Sequence, residues 1–370
     1  MARQDFFTRI AFDNQTEIET PALIINLDLL NENIDTMAQF VKSAGCNLRP
    51  HFKTHKCPLI ARKQLDKGAI GITCAKVGEA EVLANAGIQD ILIANQVVQP
   101  SKIKKLAGLA GFCSIMVAVD DIENICNLSK AAVNFQTEIG ILVEIDIGLG
   151  RCGVKARETA LALAEKVIDS PGLKFRGIMG YEGHCVFIDS VEERRIKTQE
   201  ANELLVSFKE YLESHNIGVE IVSGGGTGTY MLSSAFKGIT EIQAGSYVFM
   251  DTRYNQVEGI PFKNSLFVLA TVISKPDERT AVIDAGIKSM TCEFGIPRVI
   301  CPEGLVIQKV TEEHSIIDIS ECRISLNVGD RVKIMPSHGC TTANLYDRYY
   351  VESCDHITAA WDISARGRSD

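Results

Sequence analysis

From about residue 47 onward, short apolar runs of strand length alternate with longer stretches in which apolar positions recur at helical spacing. The runs 48–52, 70–74, 90–94, 115–119, 140–145, 175–180, 220–223 and 241–244 predict eight strands. Stretches 78–86, 121–130, 157–169 and 191–215 predict helices between them. Another helix precedes the first strand, with Leu30, Ile34, Met37 and Val41 on one face and Asp28 as its cap. Eight strands alternating with helices within about 250 residues is the count and length of a (β/α)8 barrel. A doubly wound open sheet is the competing arrangement. After residue 265 the texture changes to strand-like runs such as Phe267-Val-Leu-Ala-Thr-Val-Ile273 and Arg331-Val-Lys-Ile-Met335, with little helical period. A second, mostly β domain is expected there, joined by the strand-like Pro21–Leu27. The α/β reading therefore has a barrel at 28–262 and a β domain built from 1–27 plus 263–370.

Composition agrees with a packed core: of 370 residues, 46% are hydrophobic and 23% charged, which excludes disorder. The formal net charge of −9 lacks the basic footprint of a nucleic-acid binder. No run approaches the roughly 18 consecutive apolar residues of a membrane span. The opening residues, 1–9, carry no long apolar core of a leader, so a cytoplasmic protein is expected. Twelve cysteines are scattered without a CxxC pair, and most should be reduced thiols, Cys74 among them as a small buried hydrophobe.

In such a barrel, functional groups belong at the carboxyl ends of the strands. The unusual polar residues gather there: Arg49-Pro-His-Phe-Lys-Thr-His-Lys56, Glu144-Ile-Asp-Ile-Gly-Leu-Gly-Arg151-Cys-Gly153, Tyr181-Glu-Gly-His184, Ser223-Gly-Gly-Gly-Thr-Gly-Thr-Tyr230 and Gln243-Ala-Gly-Ser-Tyr247. The three glycines Gly224–Gly226 form either a plain turn or a cradle whose amides hold an anion. A second small turn, Gly245-Ser246, ends the next strand, and phosphate sites in barrels are commonly built from these two loops. The spacing matches neither a P-loop nor a dinucleotide fingerprint. Lys53 lies among His51, His55 and Lys56, either as part of a surface basic cluster or as an amine made nucleophilic by neighbouring cations and partial burial. A lysine at one strand end with a phosphate cradle at another suggests pyridoxal 5'-phosphate, which carries both an aldehyde and a phosphate.

These motifs, with Lys76-Val-Gly-Glu-Ala-Glu81, Gly245-Ser-Tyr-Val-Phe-Met-Asp251, Asp284-Ala-Gly-Ile-Lys288, Asn344-Leu-Tyr-Asp347 and Ser364-Ala-Arg-Gly367, resemble the D-threonine aldolase and D-serine dehydratase family from about Thr20 to Gly367. The resemblance implies a fold-type III pyridoxal-phosphate enzyme: an alanine-racemase-like barrel, a β domain and a homodimer. It makes Lys53 the Schiff-base lysine, and Gly226, Thr227, Gly245 and Ser246 the phosphate contacts. Tyr181 becomes the residue beside the cofactor ring and Arg151 the basic group near its phenolic oxygen and the substrate carboxylate. Gln243 falls where alanine racemase has an arginine facing the pyridine nitrogen, and a neutral partner there would weaken the electron sink. His338 and Cys340 match a His-x-Asp or His-x-Cys pair that holds a divalent metal. Imidazole plus thiolate favours zinc over manganese or magnesium.

Two departures from the aldolases stand out: Cys340 replaces their usual aspartate, and Phe187 replaces an acid/base histidine six residues after the tyrosine. His184 is either a substitute for it or a structural histidine. The expectation is a lyase of D-3-hydroxy amino acids, a dehydratase before an aldolase, with a racemase as rival. A non-catalytic cofactor carrier is disfavoured because such proteins resemble the barrel alone.

Overall fold

The computed structural model describes residues 18–370. The described residues form two compact units: Met37–Lys53, Ile60–Gly245 and Arg368–Asp370 make one, and residues 18–36, Thr54–Leu59 and Ser246–Gly367 make the other. The barrel unit thus stops at Gly245, whereas the sequence reading continues to 262. Residues 246–262 hold only two short 3-10 turns, Ser246–Val248 and Tyr254–Gln256, and extend no barrel layer. Of the segment assigned to the β domain as 1–27, residues 1–17 lie outside the described residues.

The first described strand, β1 (Ala22–Asn26), leads directly into helix α1 (Leu27–Ala44). The face Leu30, Ile34, Met37 and Val41 is buried, as its spacing predicts. The cap differs from expectation: Asn26 Oδ1 accepts the Leu29 amide at 3.0 Å, and Asp28 sits inside the first turn with its carboxylate on Ser353 Oγ.

All eight predicted barrel strands form: β2 (Asn47–Leu48), β3 (Ile72–Cys74), β4 (Asp90–Gln96), β5 (Ser114–Val119), β6 (Ile139–Glu144), β7 (Leu173–Met179), β8 (Ile221–Gly224) and β9 (Glu241–Ile242). They are parallel, in the spatial order β2-β9-β8-β7-β6-β5-β4-β3. The ring closes where Ile70 N donates to Leu48 O and Thr73 N to Pro50 O, both at 2.9 Å. Sequential order and closure exclude the doubly wound sheet, in which strand order reverses. The first strand is shorter than its apolar run because Pro50 has no amide to give to a ladder; Phe52–Thr54 is a 3-10 turn instead. Leu92, Met116, Ala118, Leu142, Met179 and Ile221 fill the barrel interior. Around it run α2 (Pro58–Asp66), α3 (Val77–Asn85), α4 (Pro100–Leu109), α5 (Ile122–Phe135), α6 (Arg157–Ile168), α7 (Val191–Ser214) and the short α8 (Tyr230–Ser234). No helix is long and apolar enough to cross a membrane among the described residues, and all the cysteines are free.

Gly177 shows how tightly β7 meets β8. A Cβ there would stand 2.0 Å from the Ile221 carbonyl oxygen, and the residue has φ +146. Gly177→Ala should therefore cost roughly 3 kcal/mol or more, because backbone rather than a flexible side chain must give way. Gly45→Ala, at φ +69 with open space around the added carbon, should cost only about 1 kcal/mol. Urea denaturation of both variants checks this, and equal losses would refute the steric account.

In the other unit β1 lies between β10 (Leu266–Ser274), antiparallel, and β16 (Arg348–Ser353), parallel. Among the described residues the sheet has nine strands, and its main path runs β13 (Val306–Val310), β14 (Ser315–Asp318), β11 (Thr280–Ile283), β10, β1, β16, β17 (His356–Asp362). Strands β12 (Arg298–Cys301) and β15 (Arg331–Met335) pair with each other beside β10. The five-residue helix α9 (Gly339–Ala343) follows β15.

Candidate active site

At the carboxyl ends of the barrel strands the structure brings two of the predicted residues to the ring of a third. Lys53, on the turn after β2, places Nζ 5.9 Å from the centroid of the Tyr181 ring. Arg151, on the loop after β6, places Cζ 5.9 Å from the same centroid. The expected partial burial of Lys53 is not met: the turn carries its side chain into an exposed position. Arg151 Nη2 lies 3.7 Å from Glu144 Oε1. Burial lifts the Glu144 carboxyl above its ordinary value, against the Gln96 amide that donates to it.

The glycine-rich loop after β8 is buried from Gly224 through Tyr230, with Thr227 1% exposed. A Cβ on Gly226 would meet Val186 Cγ1 at 3.0 Å, Tyr181 Cε2 at 3.1 Å and the Tyr181 hydroxyl at 3.2 Å, so only glycine leaves that room beside the tyrosine. Gly245 is also buried. Gln243 is oriented by a chain of hydrogen bonds: Nε2 donates to Ser223 Oγ at 2.7 Å, and Ser223 Oγ donates to Glu241 Oε1 at 2.7 Å. Glu241 is ion-paired with buried Arg49. Since the Ser223 proton goes to this carboxylate, Ser223 can only accept from Gln243, which leaves the amide oxygen as the group Gln243 turns elsewhere. His184 is exposed, its ring lying over Gly148, where an added Cβ would stand 2.9 Å from Cε1. Phe187 is half-buried.

The second predicted centre lies in the β unit. His338 Nδ1 is 2.8 Å from Glu293 Oε1, its ring stacks on Phe294 at 4.4 Å, and Thr341 also donates to Glu293. Burial alone would lower the His338 pKa, but the hydrogen bond and charge of Cys340, with Asp251 and Glu293, raise it to about 9. Cys340 Sγ lies 3.5 Å from Thr54 Oγ1 and 3.9 Å from Ser246 Oγ. Thr54 and Ser246 directly follow Lys53 and Gly245 in the chain.

Both implied groups fit the residues present. An amine and a guanidinium flanking an aromatic ring, with a buried loop that a Cβ would fill, suit an aldehyde-bearing aromatic phosphate. An imidazole whose Nδ1 is already taken by a carboxylate, beside a thiol, is a two-donor set that leaves coordination positions open. The described residues contain no cluster of three or more such donors, unlike a closed structural zinc site. Sequence reasoning did not single out Glu182, Glu241, Ser223 or Glu293 as site residues. Glu182 carried a signal, an acidic residue beside Tyr181 at a strand end; Glu293 carried none.

A sequentially ordered (β/α)8 barrel with these groups at its strand ends, followed by a β unit, defines the alanine-racemase type of pyridoxal-phosphate enzyme. The model of the alanine racemase N-terminal domain matches residues 25–253, and a serine dehydratase domain model matches 265–352. The chain is 39% identical to the D-threonine aldolase of Arthrobacter sp. over 96% of its own length and 95% of the relative's. It is 36% identical to the 3-hydroxy-D-aspartate aldolase of Paracoccus denitrificans over 96% and 94%. The crystal structure of D-threonine aldolase from Filomicrobium marinum superposes with a TM-score of 0.93 at 35% identity, covering 96% of this chain and 98% of that one. A cysteine-to-alanine variant of D-threo-3-hydroxyaspartate dehydratase, in its metal-free form, gives a TM-score of 0.86 at 27% identity over 95% and 99%. The chain therefore belongs to the pyridoxal-phosphate-dependent lyase family of D-threonine aldolases and D-serine dehydratases.

Proposed function

We propose that the chain is a D-threonine-type aldolase, cleaving D-3-hydroxy amino acids to glycine and an aldehyde with pyridoxal phosphate and a divalent metal. The observation that carries this reading is the end-to-end identity of 39% with a D-threonine aldolase, against 29% with the D-threo-3-hydroxyaspartate dehydratase of Delftia sp.. Cys340 and Phe187, which favoured dehydration in the sequence, are two positions set against that whole-length similarity.

Bound pyridoxal phosphate supplies a carbonyl that links to amines and a ring that accepts the electron pair of a bond broken at the α-carbon. Lys53 is the amine it links to, and once displaced by substrate it is the group that carries a proton at the α-carbon. Arg151 binds the substrate carboxylate: its guanidinium is half exposed and pairs with Glu144 only at 3.7 Å, which leaves further N–H donors for a second carboxylate. The loop at Gly226 and Thr227, with Gly245 and Ser246, holds the phosphate. Gln243, whose NH2 is spent on Ser223, has its amide oxygen left to face the ring nitrogen, and as a neutral partner it supports the electron sink less than a charged one would. His184 takes the 3-hydroxyl proton as the Cα–Cβ bond breaks. A divalent metal held by His338 and Cys340 would acidify that hydroxyl as a Lewis acid. The metal-free cysteine variant of the dehydratase, whose companion structure replaces a histidine two positions earlier, supports this pair by its spacing. A homodimer accompanies this reading, and sedimentation would test it.

With D-threonine as substrate, the expected products are glycine and acetaldehyde, suppressed by chelator. Formation of 2-oxobutyrate and ammonia instead would overturn the aldolase reading in favour of the dehydratase.

A further inference from the structure

The residue after Tyr181 is a carboxylate with no exposure at all. Glu182 Oε2 accepts the Gly225 amide at 3.1 Å, and Oε1 accepts the hydroxyls of Thr229 and Ser233, each at 2.7 Å. Thr229 Oγ1 in turn accepts the Gly226 amide at 3.0 Å. Among the described residues, the groups hydrogen-bonded to this carboxylate are all neutral donors. A buried carboxylate is costly and persists only where several donors converge on it. All three here come from the glycine-rich loop and the helix it opens. The Gly225 and Gly226 amides are thereby committed to a buried anchor, directly or through Thr229, and Gly225 has φ +78, a conformation that glycine adopts without strain. Because Glu182 follows Tyr181 directly, the same residue ties the loop to the strand end that carries the ring.

We propose that Glu182 is a positioning residue that holds the Gly225–Thr229 loop in its phosphate-binding shape. This rests on the reading of that loop as the cradle of the cofactor phosphate. A glutamine fits the set less well: it lacks the charge, and with its oxygen on the Gly225 amide its NH2 would face the two hydroxyls that now donate to the carboxylate, each of which would have to turn its proton away.

The test compares the dissociation constants of pyridoxal phosphate and pyridoxal for the full chain freed of cofactor, followed by fluorescence and visible absorbance. Glu182→Gln should lower the preference for the phosphorylated form by about tenfold or more, leaving pyridoxal binding close to wild type. An unchanged preference, or equal weakening of both ligands, would overturn the proposal, the latter because a purely structural role predicts it. If Glu182→Gln does not fold, Ser233→Ala decides by the same ratio. That variant removes one of the three donors, and a full wild-type preference in it overturns the proposal. A wild-type chain that shows no preference for the phosphorylated form would instead remove the cradle reading itself, and the proposal with it.

Discussion

Lys53→Ala is expected to lower turnover of the loaded enzyme by about 10⁴-fold or more, because one substitution removes both the amine that holds the cofactor and the group that moves the α-proton. The visible absorbance of the lysine-linked cofactor should vanish at the same time. The thermal midpoint of the cofactor-free chain should hardly move: Lys53 is exposed on a short turn, and exposed side chains away from special backbone contribute within about 0.5 kcal/mol. This separation of function from stability distinguishes an active lysine from a surface basic cluster. Millimolar methylamine should restore part of the activity, since a small amine can enter the space the side chain leaves. An unchanged visible spectrum in the variant would refute the cofactor assignment, and a large loss of thermal stability would refute the argument from exposure.

The features legible in the sequence were those written in periodicity or in runs of unusual composition. Eight apolar runs gave eight strands because a parallel sheet buried on both faces needs nearly continuous Val, Ile and Leu. The spacing of Leu30, Ile34, Met37 and Val41 gave the buried face of α1 for the same kind of reason. The ends of elements were less legible. Pro50 cut the first strand short by lacking an amide, and the side chain that caps α1 belongs to Asn26, the last residue of a strand. Helices α2 and α4 both open on a proline, Pro58 and Pro100, which reads equally well as a break. In the site, Lys53, Arg151 and Tyr181 were visible as local motifs, and the structure adds that the first two flank the ring of the third. The anchors were hidden because they act across long sequence separations. Glu182 reaches residues more than forty positions away, and Glu293 meets His338 from a different loop. A lone glutamate gives no sign of which backbone it will satisfy. Nor could two substituted positions decide between dehydration and retro-aldol cleavage, since both reactions start from the same substrate, lysine and metal pair.

The second large effect concerns the metal pair. Cys340→Ala leaves the His338 imidazole, with Nδ1 held by Glu293, as one donor of the pair. A single neutral imidazole binds a divalent ion far more weakly than imidazole plus thiolate. Metal content after dialysis should therefore fall below stoichiometric, and kcat/KM for D-threonine should drop by about 10³-fold. Chelator should produce the same loss in the wild type and add nothing in the variant. Cofactor binding should survive in both, because Cys340 meets Thr54 and Ser246 only at 3.5 and 3.9 Å through weak sulfur contacts. Cys340→Asp is the informative companion: it restores a two-donor set but exchanges a soft ligand for a hard one. Activity should return with manganese or magnesium in preference to zinc, since thiolate favours zinc and carboxylate favours the harder ions. A fully active Cys340→Ala that still responds to chelator would remove Cys340 from the ligand set and leave the metal to other residues. An alanine variant that loses activity while retaining a full equivalent of metal would assign the thiol a role in the chemistry, as an acid or base beside His338, and not in holding the ion.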